Sequence, residues 1–145
     1  MHPFPHHYIV SAAGSTEGEV TLSSDGLTPI GSAPPAEFDG PGDRWSPETL
    51  LLAAVADCLL LSFRAVASAS SFAWLSLDCQ TTGKLDRIDR VNQFTEIENE
   101  VVLRIPASSS ADTGRRLLEK AESVCLISNS LTAEVHLEVA IEVER

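Results

Sequence analysis

"SPETLLLAAVADCLLLSFRAVA", residues 46–67, decides how the rest of the chain is read. Ser46 is a good N-cap, Pro47 suits the first helical position, and Glu48 complements the positive end of the helix dipole. The apolar residues that follow cover nearly all faces, so the helix should be wrapped on every side, by a sheet and, in a chain this short, by a second subunit. Residues 50–67 approach membrane-spanning length, but Asp57, Ser62 and Arg64 interrupt them and charges in mid-bilayer are expensive. The expectation is a buried core helix. At its middle a carboxylate, Asp57, adjoins a thiol, Cys58. Adjacent helical residues point about 100° apart, so Asp57 is free to pair with Arg64, seven residues on and nearly on its own face.

Upstream, residues 7–13 and 19–23 read as two short strands around "GSTEG", a Gly-bounded hairpin turn. Residues 24–44, with "SAPPAEFDGPGD", read as a long loop. Downstream, "AWLSLDCQTTGKL" and "FTEIENEVVLRIP" read as half-buried strands, with Ile97, Val101, Leu103 and Ile105 sharing one face of the second. Ser109 with Asp112 resembles a capping box, and Leu117, Leu118, Ala121, Val124 and Cys125 then fall at helical spacing. In "AEVHLEVAIEVER", Val135, Leu137, Val139, Ile141 and Val143 point inward, while His136 and the glutamates point outward. The order ββ, helix, ββ, helix, β predicts a single α+β domain over residues 1–145, with mainly antiparallel strands and two core helices, and not an alternating βαβ fold.

A formal net charge of -11, from 21 acids against 10 bases, disfavours nucleic acid and anionic membrane surfaces as partners. The start "MHPFPHHYIV" has no readable signal-peptide pattern, and the expected location is the cytoplasm. There, three cysteines leave core packing, metal binding or thiol chemistry as their uses.

Cysteine in an apolar helix is more often an inert core residue than a nucleophile, and burial alone raises its pKa. Cys125 changes the balance for Cys58, because two helices crossing one sheet can bring two thiols within disulfide range. Such a pair can reduce a peroxide: one thiolate attacks O–O to give a sulfenic acid, and the other condenses with it. Cys79 follows Leu75 and Leu77 on an inner strand face and reads as core. His2, His6 and His7 lack matching Cys or carboxylate spacing, so no metal or other cofactor is expected. Trp45 and Trp74 fit a core or an interface.

These segments resemble the OsmC/Ohr family of osmotically inducible and organic-hydroperoxide-resistance proteins. "SPETLLLAAVADC" is similar to its Pro-Glu, Ala-rich stretch and Cys, and "AESVCLISNSL" to its second-cysteine segment. The resemblance implies an intertwined homodimer with its site at the subunit interface. It also implies that Cys58 is the peroxidatic cysteine, Cys125 the second thiol and Glu48 the motif's carboxylate. Ten residues of helix separate Glu48 from Cys58 by about 15 Å, so Glu48 reaches a Cys58 only from the partner or through an arginine. Ohr-like members carry an arginine in the first hairpin where this chain has Thr16; Arg44, beside the N-cap, is the best replacement by position, and Arg64 a weaker one. Asp57 also departs from the family, which tends to place a small residue there.

The function expected is reduction of organic hydroperoxides through Cys58 and Cys125, without a prosthetic group, with an external dithiol, the lipoyl type included, as reductant. A non-catalytic dimer binding an apolar small molecule or a protein partner, and a thiol redox sensor, are the alternatives.

Overall fold

The N-terminal hairpin forms in the computed structural model, which describes residues 1–145: β1 (Ser11–Ala13) pairs antiparallel with β2 (Val20–Ser23), Ala12 opposite Leu22. Residues 7–10 lie outside the first strand, so it is shorter than its apolar run suggests. A third strand, β3 (Ile30–Ser32), adds to β2 antiparallel, with Thr21 opposite Gly31. It arises inside the segment read as loop. Three residues are too few to show a period, and their pairing is with a strand that local sequence cannot reveal. Across the strand from Gly31 lies the Glu19 side chain, in the space a Cβ would take, although its flexible, exposed carboxylate end could move aside. A 3-10 turn at Ala36–Phe38 follows, and Ala33 N–H donates to the Trp45 carbonyl at 2.9 Å.

Two compact units make up the chain, Met1–Leu50 and Leu51–Arg145. Helix α1 (Pro47–Ala69) starts in the first and continues through the second. Its start is the capping arrangement expected of Ser46, completed by a hydroxyl in place of a carboxylate. Ser46 Oγ accepts from Thr49 N–H at 3.2 Å, and Thr49 Oγ1 accepts from Ser46 N–H at 2.9 Å.

In the second unit, β4 (Ser76–Ile88) and β5 (Val91–Pro106) form a long antiparallel hairpin, Cys79 opposite Val101. Asp89 and Arg90 turn it with φ of 49° and 69°, the left-handed pair that a two-residue hairpin loop needs to match strand twist. Helix α2 (Ala111–Ser123), the short α3 (Leu126–Asn129) and β6 (Glu134–Glu144) complete the chain. β6 lies parallel to β5, with Leu137 opposite Asn99, giving the sheet order β4-β5-β6. The other pairings are antiparallel, so the strands are mainly antiparallel as expected, with β5–α2–β6 as a single βαβ crossover. Parallel neighbours need a crossover long enough to bring the chain back, which α2 supplies, but which strand β6 pairs with is invisible in the element order alone.

Leu59, Phe63 and Ala67 of α1 pack with Leu77, Val101, Leu103, Ile105, Leu117, Leu118 and Ala121 into one core. Phe63 meets Trp74 edge to face, centroids 5.2 Å apart. The buried residues of α1, Val55, Leu59, Phe63 and Ala67, recur every four positions and so form one stripe. The expected wrapping on all sides is not present in the single chain, and Leu61 is 49% exposed. By length and composition α1 could also cross a membrane, with mean hydropathy 2.0 over 18 residues. Helix α2 is capped one residue later than the capping box predicts. Ser110 Oγ accepts from Thr113 N–H at 3.3 Å, because Ser109 Oγ donates instead to the Ala73 carbonyl at 2.6 Å.

Candidate functional site: a thiol pair at the head of a short helix

Cys58 lies on the half-buried flank of α1, one position before the buried Leu59. Cys125 is 1% exposed and occupies the N-cap of α3, with φ -66° and ψ 106°. The structure brings these two sulfurs close enough for each to act on the other's ionisation, and all three cysteines are free thiols.

The first amides of a helix have no partner within it and turn toward whatever acceptor lies ahead. Here that acceptor is sulfur. Burial acts to raise the pKa of Cys58, but the amide N–H of Ile127, the Cys125 thiol, the Ser62 hydroxyl and the amide N–H of Leu126 act together in the opposite direction. The thiol is held below its ordinary value. Ser62 stands one helical turn beyond Cys58, 3.9 Å from its sulfur. All of these donors are neutral groups of the chain's second unit. Burial pushes Cys125 up; Ser128 opposes this through its hydroxyl and amide, and the Cys58 thiolate adds to the rise. Of the two, Cys58 is the thiol that ionises more readily and Cys125 the one that keeps its proton.

Arg44 lies in the first unit. It pairs with Glu19, Nε to Oε2 3.3 Å, and with Asp43, Nη1 to Oδ2 3.4 Å, on the surface of the first unit, and makes no ion pair with Glu48. Glu48 lines an apolar cavity of about 520 Å³ with Val20, Leu22, Pro35, Phe38 and Leu50, and its Oε1 is buried without a hydrogen-bond partner. Asp57 and Arg64 are both exposed and form no ion pair, contrary to expectation. Seven helical residues rise about 10 Å, too far for the direct meeting that spacings of three or four allow. Trp45 is exposed and Trp74 half-buried in the core.

Cys79 is half-buried, 3.6 Å from Thr81 Oγ1 and 3.9 Å from Asn99 Oδ1, and burial raises its pKa. Asn99 itself escaped the sequence reading. It is 1% exposed on the core face of β5, accepts from Thr81 Oγ1 at 2.6 Å, and leaves its Nδ2 unpaired. Ser62 and Ser128 were missed too. Their signals were present as spacings, four residues after Cys58 in one case and three after Cys125 in the other. On the outer sheet face, Glu96, Glu134 and His136, and Glu98, Glu100 and Glu138, group their potential ligand atoms within 4.8 Å. These are the residues that offer donors to a cation. His136 also stands 3.8 Å from Glu134.

The sequence model of OsmC-like proteins matches residues 40–140, running across both units. A relative described as an uncharacterized protein, YmaD of Bacillus subtilis (strain 168), is 29% identical over 144 residues, 96% of this chain and 95% of that one. Among solved structures, an OsmC-like protein of unknown function from Vibrio cholerae has a TM-score of 0.86 at 17% identity, covering 94% of this chain and 100% of the other. An organic hydroperoxide resistance protein OsmC from Legionella pneumophila has a TM-score of 0.73 at 24% identity, covering 97% and 99%. One described as an organic hydroperoxide resistance protein, from Elizabethkingia anophelis, reaches 0.77 at 18% identity, covering 99% and 100%. These structures share the α+β fold built here from β1–β6 and α1–α3, and the family match spans the Cys58 helix and the Cys125 segment alike: the chain belongs to the family of OsmC-like proteins.

Proposed function

We propose that the protein is a thiol-dependent peroxidase for organic hydroperoxides. The observation that carries this reading is the neighbouring pair of free thiols in which one, Cys58, is held below its ordinary pKa. In the first step the Cys58 thiolate attacks the outer oxygen of R–O–O–H. The S–O bond forms, the O–O bond breaks, and the alkoxide takes a proton to leave as alcohol. In the second, Cys125 attacks the sulfenic sulfur, and hydroxide leaves as water. Two thiols have given two electrons, and an external dithiol returns them by exchange with the Cys58–Cys125 disulfide.

The working form is a homodimer in the cytoplasm. The bare flank of α1, with Leu61 exposed, is what supports a second subunit, and the unpaired Glu48 is the carboxylate the partner would bring. The apolar side chains flanking Cys58 favour an alkyl hydroperoxide over hydrogen peroxide. Steady-state consumption of cumene hydroperoxide and of hydrogen peroxide, each with dihydrolipoamide, tests both claims. The reading requires turnover with the organic substrate, abolished by Cys58→Ser. A preference for hydrogen peroxide removes the substrate claim, and no turnover with either removes the enzyme.

One observation favours a second reading: the Glu48 cavity is apolar and large enough for a small ligand, as a binding protein needs. Binding of an apolar amine to a protein that consumes no peroxide would establish it.

A further inference from the structure

Resting on the peroxidase reading above, we propose that Ser128 drives the second half of the reaction, by donating its hydroxyl to Cys125 when that thiol ionises to attack the Cys58 sulfenic acid.

Ser128 Oγ is buried and has no hydrogen-bond partner. An orphaned buried hydroxyl is a cost that folding does not recover, and its persistence calls for another use. Its place in the fold supplies one. Cys125 is the N-cap of α3, so Ser128 is the third residue of that helix, the position whose amide and side chain both turn back to the cap. The helix start is fixed by Asn129 N–H on the Cys125 carbonyl at 3.0 Å, and the turn after the helix by Leu131 N–H on the Ser128 carbonyl at 3.1 Å. From that position the hydroxyl and the amide of Ser128 both act to lower the Cys125 pKa, although the hydroxyl makes no hydrogen bond to the neutral thiol.

Against a neutral thiol this hydroxyl gains little, since sulfur is a weak acceptor. Against a thiolate it becomes a charge-assisted donor. The order of the reaction decides which state it meets. While Cys58 carries the negative charge, that charge and burial both keep the proton on Cys125. Attack on the hydroperoxide turns Cys58 into a neutral sulfenic acid, so the opposing charge disappears at the moment Cys125 must ionise. Of the influences on Cys125 only burial still resists, and Ser128 opposes it. The Cys125 lone pair then forms the S–S bond as the S–O bond of the sulfenic acid breaks. Hydroxide departs and takes up the proton that Cys125 has released. The oxidant is the organic hydroperoxide of the first step, and nothing further is consumed.

The test separates the two steps. Wild type, Ser128→Ala, Ser128→Val and Ser128→Thr are each mixed with one equivalent of cumene hydroperoxide, quenched at intervals with dimedone and N-ethylmaleimide, and weighed by intact-mass spectrometry. Dimedone counts sulfenic acid; the unlabelled pair counts disulfide. Removing the hydroxyl should leave sulfenic-acid formation near the wild-type rate and slow its conversion to disulfide by about ten-fold, so that the dimedone adduct accumulates. Ser128→Thr, which keeps the hydroxyl, should restore conversion where the isosteric Ser128→Val does not. A purely structural role would instead lower the melting temperature and slow both steps, whereas loss of an unpartnered hydroxyl should leave the melting temperature unchanged or raised.

Conversion at the wild-type rate in Ser128→Ala and Ser128→Val overturns the proposal while leaving the peroxidase reading intact. So does equal slowing of both steps. Absence of a dimedone adduct and of disulfide in every variant, wild type included, overturns both.

Discussion

Cys125, at the N-cap of α3, stands close enough to Cys58 of α1 for each thiol to act on the ionisation of the other. The same proximity lowers one pKa and raises the other, so the two sulfurs titrate as a pair in which the first proton leaves from Cys58. That asymmetry is what the proposed division between an attacking Cys58 and a resolving Cys125 rests on.

Alkylation should report it directly. The rate for Cys58 rises with pH as thiolate forms, and a lowered pKa moves that rise to lower pH; Cys79 and Cys125, both raised, must lag behind it. Peptide mapping after brief exposure to iodoacetamide between pH 6 and 9 should find Cys58 labelled first throughout. Equal labelling of the three cysteines would mean that the α3 amides do not act on Cys58.

One of those amides can be deleted cleanly. Leu126 is the first residue of α3 and its side chain is exposed, a position where proline is well tolerated, and Cys125 before it is already extended. Leu126→Pro should keep the fold, move the Cys58 alkylation profile to higher pH and slow the reaction at pH 7 by about three-fold. Ser62→Ala removes a weaker donor, 3.9 Å away, and should produce a smaller shift in the same direction.

Arg44 is engaged by Glu19 and Asp43 at the surface, and Arg44→Ala should cost under about 1 kcal/mol in urea unfolding. Hydroperoxide turnover should stay within about three-fold of wild type if the thiolate is held mainly by neutral donors. A hundred-fold loss would instead make Arg44 the activating cation and demand a rearrangement of its present partners.

Phe63 fills the centre of the core against Trp74, so Phe63→Ala should destabilise the protein by about 3–5 kcal/mol, measured by denaturant midpoint. Val102→Ala, on the alternate face of β5, should cost much less.

Long periodic elements were legible in the sequence and short or paired ones were not. The alternation of Val135, Leu137, Val139 and Ile141 placed β6 correctly, and Ile97, Val101, Leu103 and Ile105 are the buried face of β5, although Val143 at the end of the run is exposed. Asn99 sits within that buried face unannounced, because a polar residue in an apolar period reads as an interruption until its neighbour Thr81 is known. The strand at Ile30–Ser32 and the helix at Leu126–Asn129 are too short for any period. The thiols themselves could be singled out from their segments, but what tunes them could not. The Leu126 and Ile127 amides act through backbone geometry, which carries no residue type. Ser128 acts through a three-residue spacing from a cysteine that was read as the end of a helix and is the start of the next one.

The most direct test of the central claim is a single turnover: one equivalent of cumene hydroperoxide added to the reduced protein, followed by peptide mapping under non-reducing conditions. The account predicts a Cys58–Cys125 disulfide in wild type, a dimedone-trapped sulfenic acid on Cys58 in Cys125→Ser, and no reaction in Cys58→Ser. Consumption of the hydroperoxide that survives Cys58→Ser, or a wild-type protein whose thiols all remain reduced, would contradict it.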